Sequence, residues 1–187
     1  MDGGLPDLAI TFIIQNLGQW LLYPMLFFSF LGTEGFVLIG IPAIYWCIES
    51  SLGLRLGMML LLTNSINYAI KLFFHLPRPY WISHEVKAYS SEISFGLPSG
   101  HSQNAAGIFG ILAERIRRKW VTILCVILVF LVGISRIYLG VHYSLDVLAG
   151  WILGAVVLFI FLFTEKPLLN WFSQRSYLQK HGLVLLS

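Results

Sequence analysis

Residues 135–146 place a cation, an imidazole and a carboxylate between two strongly apolar segments. His142 and Asp146 are four residues apart, so a helix that begins here would hold them on one face within contact distance. A carboxylate beside an imidazole fixes the tautomer of the ring and favours its protonated form, which suits proton transfer or nucleophilic attack. Arg136 and Asp146 could equally anchor two helix ends at a membrane surface, so the interpretation depends on the other motifs of the chain.

A lysine inside an apolar run is the second unusual feature. Lys71 would cost ~2.5–3.5 kcal/mol within a bilayer unless its side chain faces protein or water. Arg78 follows seven residues later, and on a continuous helix the two would lie on one face about 10 Å apart along the axis. Either this face lines a polar interior, or Arg78 simply reaches out to the membrane interface.

The sequence Pro98-Ser99-Gly100-His101 has the composition of a helix start that could bind an anion. The first N–H groups of a helix lack partners and carry partial positive charge, and glycine allows an anion close to the backbone. Ser99 could cap the helix or donate its hydroxyl to the anion, and His101 would lie in the first turn. An ordinary serine-capped helix with an incidental histidine would explain these four residues as well.

The elements that must position these residues are membrane helices. Apolar residues make up 57% of the 187 residues and charged residues 11%, and the mean hydropathy is +0.79. These values predict an all-α integral membrane protein with one domain, residues 1–187. The net charge of +3 is small and the basic residues are scattered, which argues against nucleic acid as a partner.

Six membrane spans are predicted from the apolar runs. They cover residues 8–31, 36–48, 54–76, 99–113, 120–139 and 145–163, followed by a cytoplasmic interfacial tail at 166–187. In the last span, Gly150 and Gly154 share a face with Asp146 and predict a seam for close helix packing. The predicted six-helix bundle has its active site at the outer membrane face.

Basic residues predict the orientation. With six spans, eight of the twelve lysines and arginines fall on one side, namely Arg55, Arg115, Arg117, Arg118, Lys119, Lys166, Arg175 and Lys180. Cytoplasmic loops of membrane proteins carry an excess of lysine and arginine, so this side is predicted to be cytoplasmic. Both termini are therefore predicted to be cytoplasmic in the plasma (inner) membrane, with the loops at 77–98 and near His142 facing outward.

The motifs converge in this topology. The third span ends near Arg78 and the fourth begins at Ser99. The fifth ends near Arg136 and the sixth begins near Asp146, all at one membrane face. Two arginines, a lysine, two histidines and a helix N-terminus would then surround one space. Such a pocket binds a multiply charged anion, and two imidazoles allow chemistry on it.

Taken together, the motifs resemble the three-part signature of the type 2 phosphatidic acid phosphatase superfamily. The matching positions are Lys71 with Arg78-Pro79, then Pro98-Ser99-Gly100-His101, then Ser135-Arg136 with His142 and Asp146. Every signature position is matched between Lys71 and Asp146. The resemblance implies a helical bundle and a metal-independent phosphatase that acts through a phosphohistidine.

The resemblance also implies a role for each residue. His142 would attack phosphorus, Asp146 would orient its other ring nitrogen, and His101 would protonate the leaving oxygen and later activate water. The phosphoryl oxygens would be held by Lys71, Arg78, Ser99, Gly100 and Arg136. No cofactor and no metal are expected. The expected partners are the bilayer and a lipid phosphate or diphosphate, such as polyprenyl diphosphate (undecaprenyl diphosphate among them), phosphatidic acid or phosphatidylglycerol phosphate.

Four alternatives stay open at this point. A glucose-6-phosphatase-like or broad phosphomonoesterase and a vanadate-dependent haloperoxidase would use the same pocket. A zinc hydrolase would use His101, His142 and Asp146, although three fixed cations leave little electrostatic room for a divalent metal. An anion or lipid transporter would need the cations but no nucleophile. The sequence does not choose among the lipids, or between a monophosphate and a diphosphate.

Overall fold

The computed structural model describes residues 8–174, so most of the predicted tail at 166–187 lies outside the described residues. The described part consists of helices and loops without a strand, which confirms the predicted all-α class. Its helices are α1 (Leu8–Gln15), α2 (Leu22–Leu31), α3 (Glu34–Cys47), α4 (Ser50–Phe74), α5 (Pro79–Ile82), α6 (Gly100–Ile116), α7 (Lys119–Tyr138) and α8 (Ser144–Ser173), with a 3₁₀ turn at Gln19–Leu21.

Three helical segments are long and apolar enough to cross a membrane. They are Ser50–Ile82, which joins α4 and α5, then Lys119–Tyr138 and Ser144–Trp171. The stretches around α2 and α3 pass the same test as a pair, which is bent by 53° at its junction. These helices make the chain an integral membrane protein. Within residues 8–174 they amount to three spans, or four with the bent pair, so the number six stays a prediction.

The first predicted span does not form a single helix. α1 ends at Gln15, and the 3₁₀ turn separates it from α2. Gly18 has a φ of +115°, a backbone conformation that glycine adopts readily and other residues avoid, so the helix breaks there. Pro24 lies in the first turn of α2, where its missing N–H removes no intrahelical hydrogen bond.

The last four predicted spans each coincide with a helix. α4, α6 and α7 match their predictions to within a few residues at each end. α8 differs most, because it continues ten residues beyond the predicted end at Phe163 and runs through Pro167 to Ser173. The first part of the predicted tail is therefore the end of a helix.

α6 lies at the centre and packs against α4, α7 and α8. Polar side chains join it to α4: Thr63 Oγ1 lies 2.6 Å from Asn104 Oδ1, and Asn67 Nδ2 donates to Gln103 Oε1 at 2.7 Å. Gln103 Nε2 also donates to the Thr63 carbonyl at 3.1 Å. Polar groups in apolar surroundings need partners, so these bonds determine how α6 is rotated and placed against α4.

The glycine seam predicted on the last helix is confirmed. A Cβ atom on Gly150 would lie 2.6 Å from the carbonyl oxygen of Ser99, and one on Gly154 would lie 2.6 Å from that of Gln103. Real Cβ atoms do not approach this closely, so α8 can contact the backbone of α6 only because both residues lack a side chain. This contact brings the start of α8 to the start of α6.

Replacing Gly154 by alanine tests this contact. We expect Gly154→Ala to lower the free energy of unfolding by about 1–3 kcal/mol, because its methyl group would overlap the backbone of α6. Gly57→Ala is the matched control, since a Cβ atom there meets only Ile41 Cγ2 at 3.9 Å. Thermal unfolding in detergent measures both, and equal melting temperatures would contradict the seam.

Candidate active site

The backbone joins the starts of α6 and α8 directly. The Ser99 N–H donates to the Asp146 carbonyl oxygen at 2.9 Å. The buried Ser99 hydroxyl accepts a hydrogen bond from the Ser102 N–H at 3.4 Å and lies 3.0 Å from Ser102 Oγ. Ser99 therefore caps α6, as the sequence suggested, and the N-terminus of α6 is held beside the first turn of α8.

His142 and Asp146 form a buried pair. His142 Nδ1 lies 3.2 Å from Asp146 Oδ2, which also accepts a hydrogen bond from the Tyr143 N–H at 3.0 Å. His142 precedes α8, which begins at Ser144, so the pair forms across a capping turn and not along one helix face. The bond to Asp146 assigns the ring proton to Nδ1 and leaves the Nε2 lone pair available for chemistry.

Arg78 reaches this pair by a route that the sequence analysis did not foresee. The prediction that Lys71 and Arg78 share one helix face is wrong, because α4 ends at Phe74 and His75 adopts a φ of +50°. Arg78 lies beyond this turn, where Nη1 donates to the Val141 carbonyl at 2.9 Å and lies 3.2 Å from His142 Nε2. The turn, and not helical periodicity, directs the guanidinium to His142.

The loop between α5 and α6 holds Arg78 and Lys71 by its backbone. Arg78 Nε donates to the Ser94 carbonyl at 2.6 Å, and Nη2 donates to Ser94 Oγ at 3.1 Å and to the Phe95 carbonyl at 3.2 Å. Lys71 Nζ bonds to the Phe95 carbonyl and lies 3.3 Å from the Gly96 carbonyl. Carbonyl groups satisfy these N–H donors without cancelling the positive charge of either side chain.

These side chains surround a cavity of about 70 Å³, whereas a single water molecule needs only ~10–15 Å³. Of the predicted site residues, Lys71, Arg78, Gly100, His101 and His142 line it, together with Gly32, Glu34, Asn64, Asn67, Tyr68, Glu92, Ser94 and Asn104. Ser99 and Asp146 lie behind this lining. Asp146 contacts His142, and Ser99 caps the helix that begins with Gly100. The structure thus brings together two imidazoles, two cations and a helix N-terminus.

Arg136 lies in a neighbouring groove, and its partners there could not be predicted from the sequence. Its Nη1 donates to Ser29 Oγ at 2.5 Å, and its Nη2 forms an ion pair with the carboxylate of Glu92. His101 lines both this groove and the cavity. Glu92 and Glu34 also line both the cavity and the groove. No motif spacing predicted them, because Glu92 lies in the loop after α5 and Glu34 lies at the start of α3.

The surroundings of His142 favour its neutral form. Burial, together with Arg78 and Arg136, holds its pKa well below the ordinary value of 6.5. Asp146 alone would favour the protonated imidazole, as the sequence predicted. Desolvation and the nearby cations outweigh this effect, so the neutral ring is favoured. A neutral imidazole retains the lone pair that a nucleophile needs.

The zinc alternative required His101, His142 and Asp146 to converge on one point. Within residues 8–174, no three His, Cys, Asp or Glu side chains are grouped as metal ligands. Two imidazoles, a lysine and an arginine instead line a small cavity in an apolar helical bundle, an arrangement typical of membrane proteins whose sites suit an oxyanion.

The family follows from comparison with known proteins. The family model described as PAP2 superfamily matches residues 52–167, so the chain belongs to this superfamily. In sequence, it is 42% identical over 78 residues to phosphatidylglycerophosphatase B of Bacillus subtilis, covering 37% of this chain and 38% of that protein. It is 31% identical over 176 residues to glucose-6-phosphatase 3 of Homo sapiens, covering 80% of this chain and 50% of that protein.

The fold agrees with this assignment. The chain is similar to the crystal structure of the first transmembrane PAP2 type phosphatidylglycerolphosphate phosphatase from Bacillus subtilis, with a TM-score of 0.73 and 29% sequence identity. The match covers 85% of this chain and 84% of that chain. The chain spans half or less of the length of the two curated relatives named above.

Phosphate binding tests the role of Arg78. We expect Arg78→Lys to weaken binding of inorganic phosphate or orthovanadate by about tenfold or more, because lysine keeps the charge but cannot make the bonds to Ser94 and Val141. Isothermal titration of purified protein measures this affinity. Arg118→Lys, at the exposed start of α7, is the control and should bind as tightly as the unchanged protein. Equal affinity of the two variants would contradict the assignment.

A histidine titration tests the pKa of His142. Because its pKa in the folded protein lies below 6.5, we expect the ring to stay neutral from pH 7.5 down to pH 6.5. Its contribution to stability is then present above pH 6.5 and is lost as pH falls through the lowered pKa. Nitrogen chemical shifts of ¹⁵N-histidine-labelled protein report the ring state, and His142→Gln assigns the signal. A His142 signal that titrates above pH 6.5 would show this environment to be wrong.

Proposed function

We propose that this protein is a membrane phosphatase that hydrolyses the phosphate ester or diphosphate of a lipid through a phosphohistidine intermediate. The observation that carries the proposal is that both imidazoles, His142 and His101, line the same cavity as Lys71 and Arg78. A binding protein for oxyanions would need the cations but not two histidines, one of which has its tautomer assigned by a buried carboxylate.

In the proposed first step, His142 Nε2 attacks phosphorus, and a nitrogen–phosphorus bond forms as the bond to the leaving oxygen breaks. Asp146 keeps the proton on Nδ1 and stabilises the positive charge that develops on the ring. His101 gives a proton to the leaving oxygen. In the second step a water molecule attacks phosphorus, His101 accepts its proton, and phosphate leaves as the bond to His142 breaks.

Lys71, Arg78 and the Gly100 N–H would hold the phosphoryl oxygens during both steps. Their charges oppose the negative charge that spreads over these oxygens in the transition state. Arg78 already contacts His142 Nε2 in the free protein. A phosphoryl oxygen that takes over this contact would place phosphorus directly in front of the attacking nitrogen. Ser99 would act indirectly, by keeping the α6 N-terminus in place.

Arg136 would contribute from the neighbouring groove. Its ion pair with Glu92 neutralises much of its charge, so we assign the phosphoryl oxygens mainly to Lys71 and Arg78. We also propose that no metal ion takes part, since the fixed cations around the cavity supply the positive charge that a metal would bring.

The bilayer would supply the substrate. The long apolar helices support a lipid, and the relative phosphatidylglycerophosphatase B carries a lipid phosphate in its name. Within residues 8–174, six of the ten lysines and arginines lie at the end of the bundle opposite the cavity. We therefore propose that this end is cytoplasmic in the plasma (inner) membrane and that the site faces outward. The long match to glucose-6-phosphatase 3 favours a water-soluble phosphomonoester as a second candidate.

Phosphate release from a panel of substrates tests the proposal. The panel contains phosphatidic acid, phosphatidylglycerol phosphate, undecaprenyl diphosphate and glucose 6-phosphate, each assayed with a chelator present. We expect release from at least one lipid, and a loss of about 10⁴-fold or more in His142→Ala and His101→Ala. His84→Ala, in the exposed part of the loop after α5, is the control and should keep full activity.

Other results would point elsewhere. Wild-type turnover in His142→Ala would contradict the nucleophile, and activity that the chelator abolishes would contradict a metal-independent reaction. Hydrolysis of glucose 6-phosphate alone would favour the second candidate. Halide oxidation with added vanadate, or anion transport that survives His142→Ala, would replace the phosphatase by the haloperoxidase or the transporter.

A further inference from the structure

The groove next to the cavity has a volume of about 490 Å³ and a mixed lining. We call it the α2 groove, because Leu26 and Phe30 of α2 form its apolar side. Arg136, His101 and the carboxylates Glu34 and Glu92 form its polar side. His101, Glu34 and Glu92 also line the cavity, so the two spaces adjoin.

The position of His101 indicates what the α2 groove would hold. In an in-line displacement the nucleophile and the leaving oxygen lie on opposite sides of phosphorus. His142 lines the cavity but not the α2 groove, whereas His101 lines both. If His101 protonates the leaving oxygen, as the proposed function requires, the leaving group extends from the cavity into the α2 groove.

The charges in the two spaces differ. Lys71 and Arg78 line the cavity, and backbone carbonyls hold them without cancelling their charge. Among the described residues that line the α2 groove, the fixed cation is Arg136, and Glu92 forms an ion pair with it. Glu34 adds a second carboxylate. Both carboxylates also line the cavity, but there Lys71 and Arg78 balance them, whereas in the groove they outnumber Arg136. The cavity therefore suits a phosphoryl dianion better than the groove suits a further anion.

The surroundings of Arg136 fit a leaving group without negative charge. Its side chain is 2% exposed, and it already donates to Ser29 and to the carboxylate of Glu92. A hydroxyl or ester oxygen in the α2 groove would lie beside this ion pair without bringing negative charge. Hydroxyl or ammonium donors on the same group would bond to Glu34 and Glu92, and its apolar part would contact Leu26 and Phe30.

We infer that Glu34 and Glu92 determine specificity, and that they select a phosphate monoester, whose leaving group brings no negative charge, over a diphosphate. The inference rests on the proposed function, since it assigns the leaving group by the role of His101. A diphosphate would place its second phosphate beside two carboxylates and an arginine that is already paired.

Farnesyl monophosphate and farnesyl diphosphate are the matched probes, because their apolar chains are identical. In detergent micelles we expect kcat/KM for the monophosphate to exceed that for the diphosphate by about tenfold or more. Glu34→Gln/Glu92→Gln should reduce this ratio by about tenfold, because both repelling charges are gone and Arg136 is unpaired. Glu85→Gln, an exposed change in the same loop as Glu92 that lies outside both spaces, should leave the ratio unchanged.

Glu34→Gln alone is the second variant. Glu34 is exposed, so this change tests the charge without removing the ion pair of Arg136. It should shift the ratio in the same direction by a smaller factor. A wild-type preference for the diphosphate, or a ratio that neither glutamate variant changes, would overturn the inference and leave the proposed function intact. No phosphate release from either probe or from the lipid panel would overturn the proposed function itself.

Discussion

The structure depends on keeping positive charge inside an apolar helical bundle. The exposed fractions of Lys71, Arg78 and Arg136 are only 5%, 1% and 2%. Burying an ion costs several kcal/mol unless its hydrogen-bonding groups find partners. Backbone carbonyls satisfy Lys71 and Arg78 without cancelling their positive charge. The same arrangement thus stabilises the buried cations and leaves their charge available to the anion that we propose the site binds.

This arrangement makes the loop between α5 and α6 part of the site. Ser94, Phe95 and Gly96 provide the carbonyls that hold Lys71 and Arg78. In turn, the two cations hold the loop against the ends of the helices. The same loop also provides Glu92. Its carboxylate binds Arg136, whereas backbone carbonyls bind Lys71 and Arg78. One segment thus sets two different electrostatic environments on the two sides of His101, one with two cations held by carbonyls and one whose arginine is paired with a carboxylate.

His142 shows how the surroundings of a residue outweigh its nearest partner. Asp146 alone would favour a protonated ring, but its Oδ2 also accepts the Tyr143 N–H, and the ring is buried beside Arg78. Desolvation and the neighbouring cations therefore lower the pKa of His142. What Asp146 does achieve is geometric, because it assigns the proton to Nδ1 and orients the ring. The neutral, oriented imidazole depends on the whole cluster.

The sequence alone predicted the all-α class, the last four helices, the glycine seam and the family, because apolar runs and motif spacings are local properties of a chain. It also predicted which residues would gather at one end of the bundle. It could not show the turn at His75, which carries Arg78 to His142 in place of a continuous helix. Nor could it show that Glu92 pairs with Arg136 across 44 residues. Tertiary packing determines which buried cations contact a carbonyl and which contact a carboxylate, because these contacts join parts of the chain that no spacing rule connects.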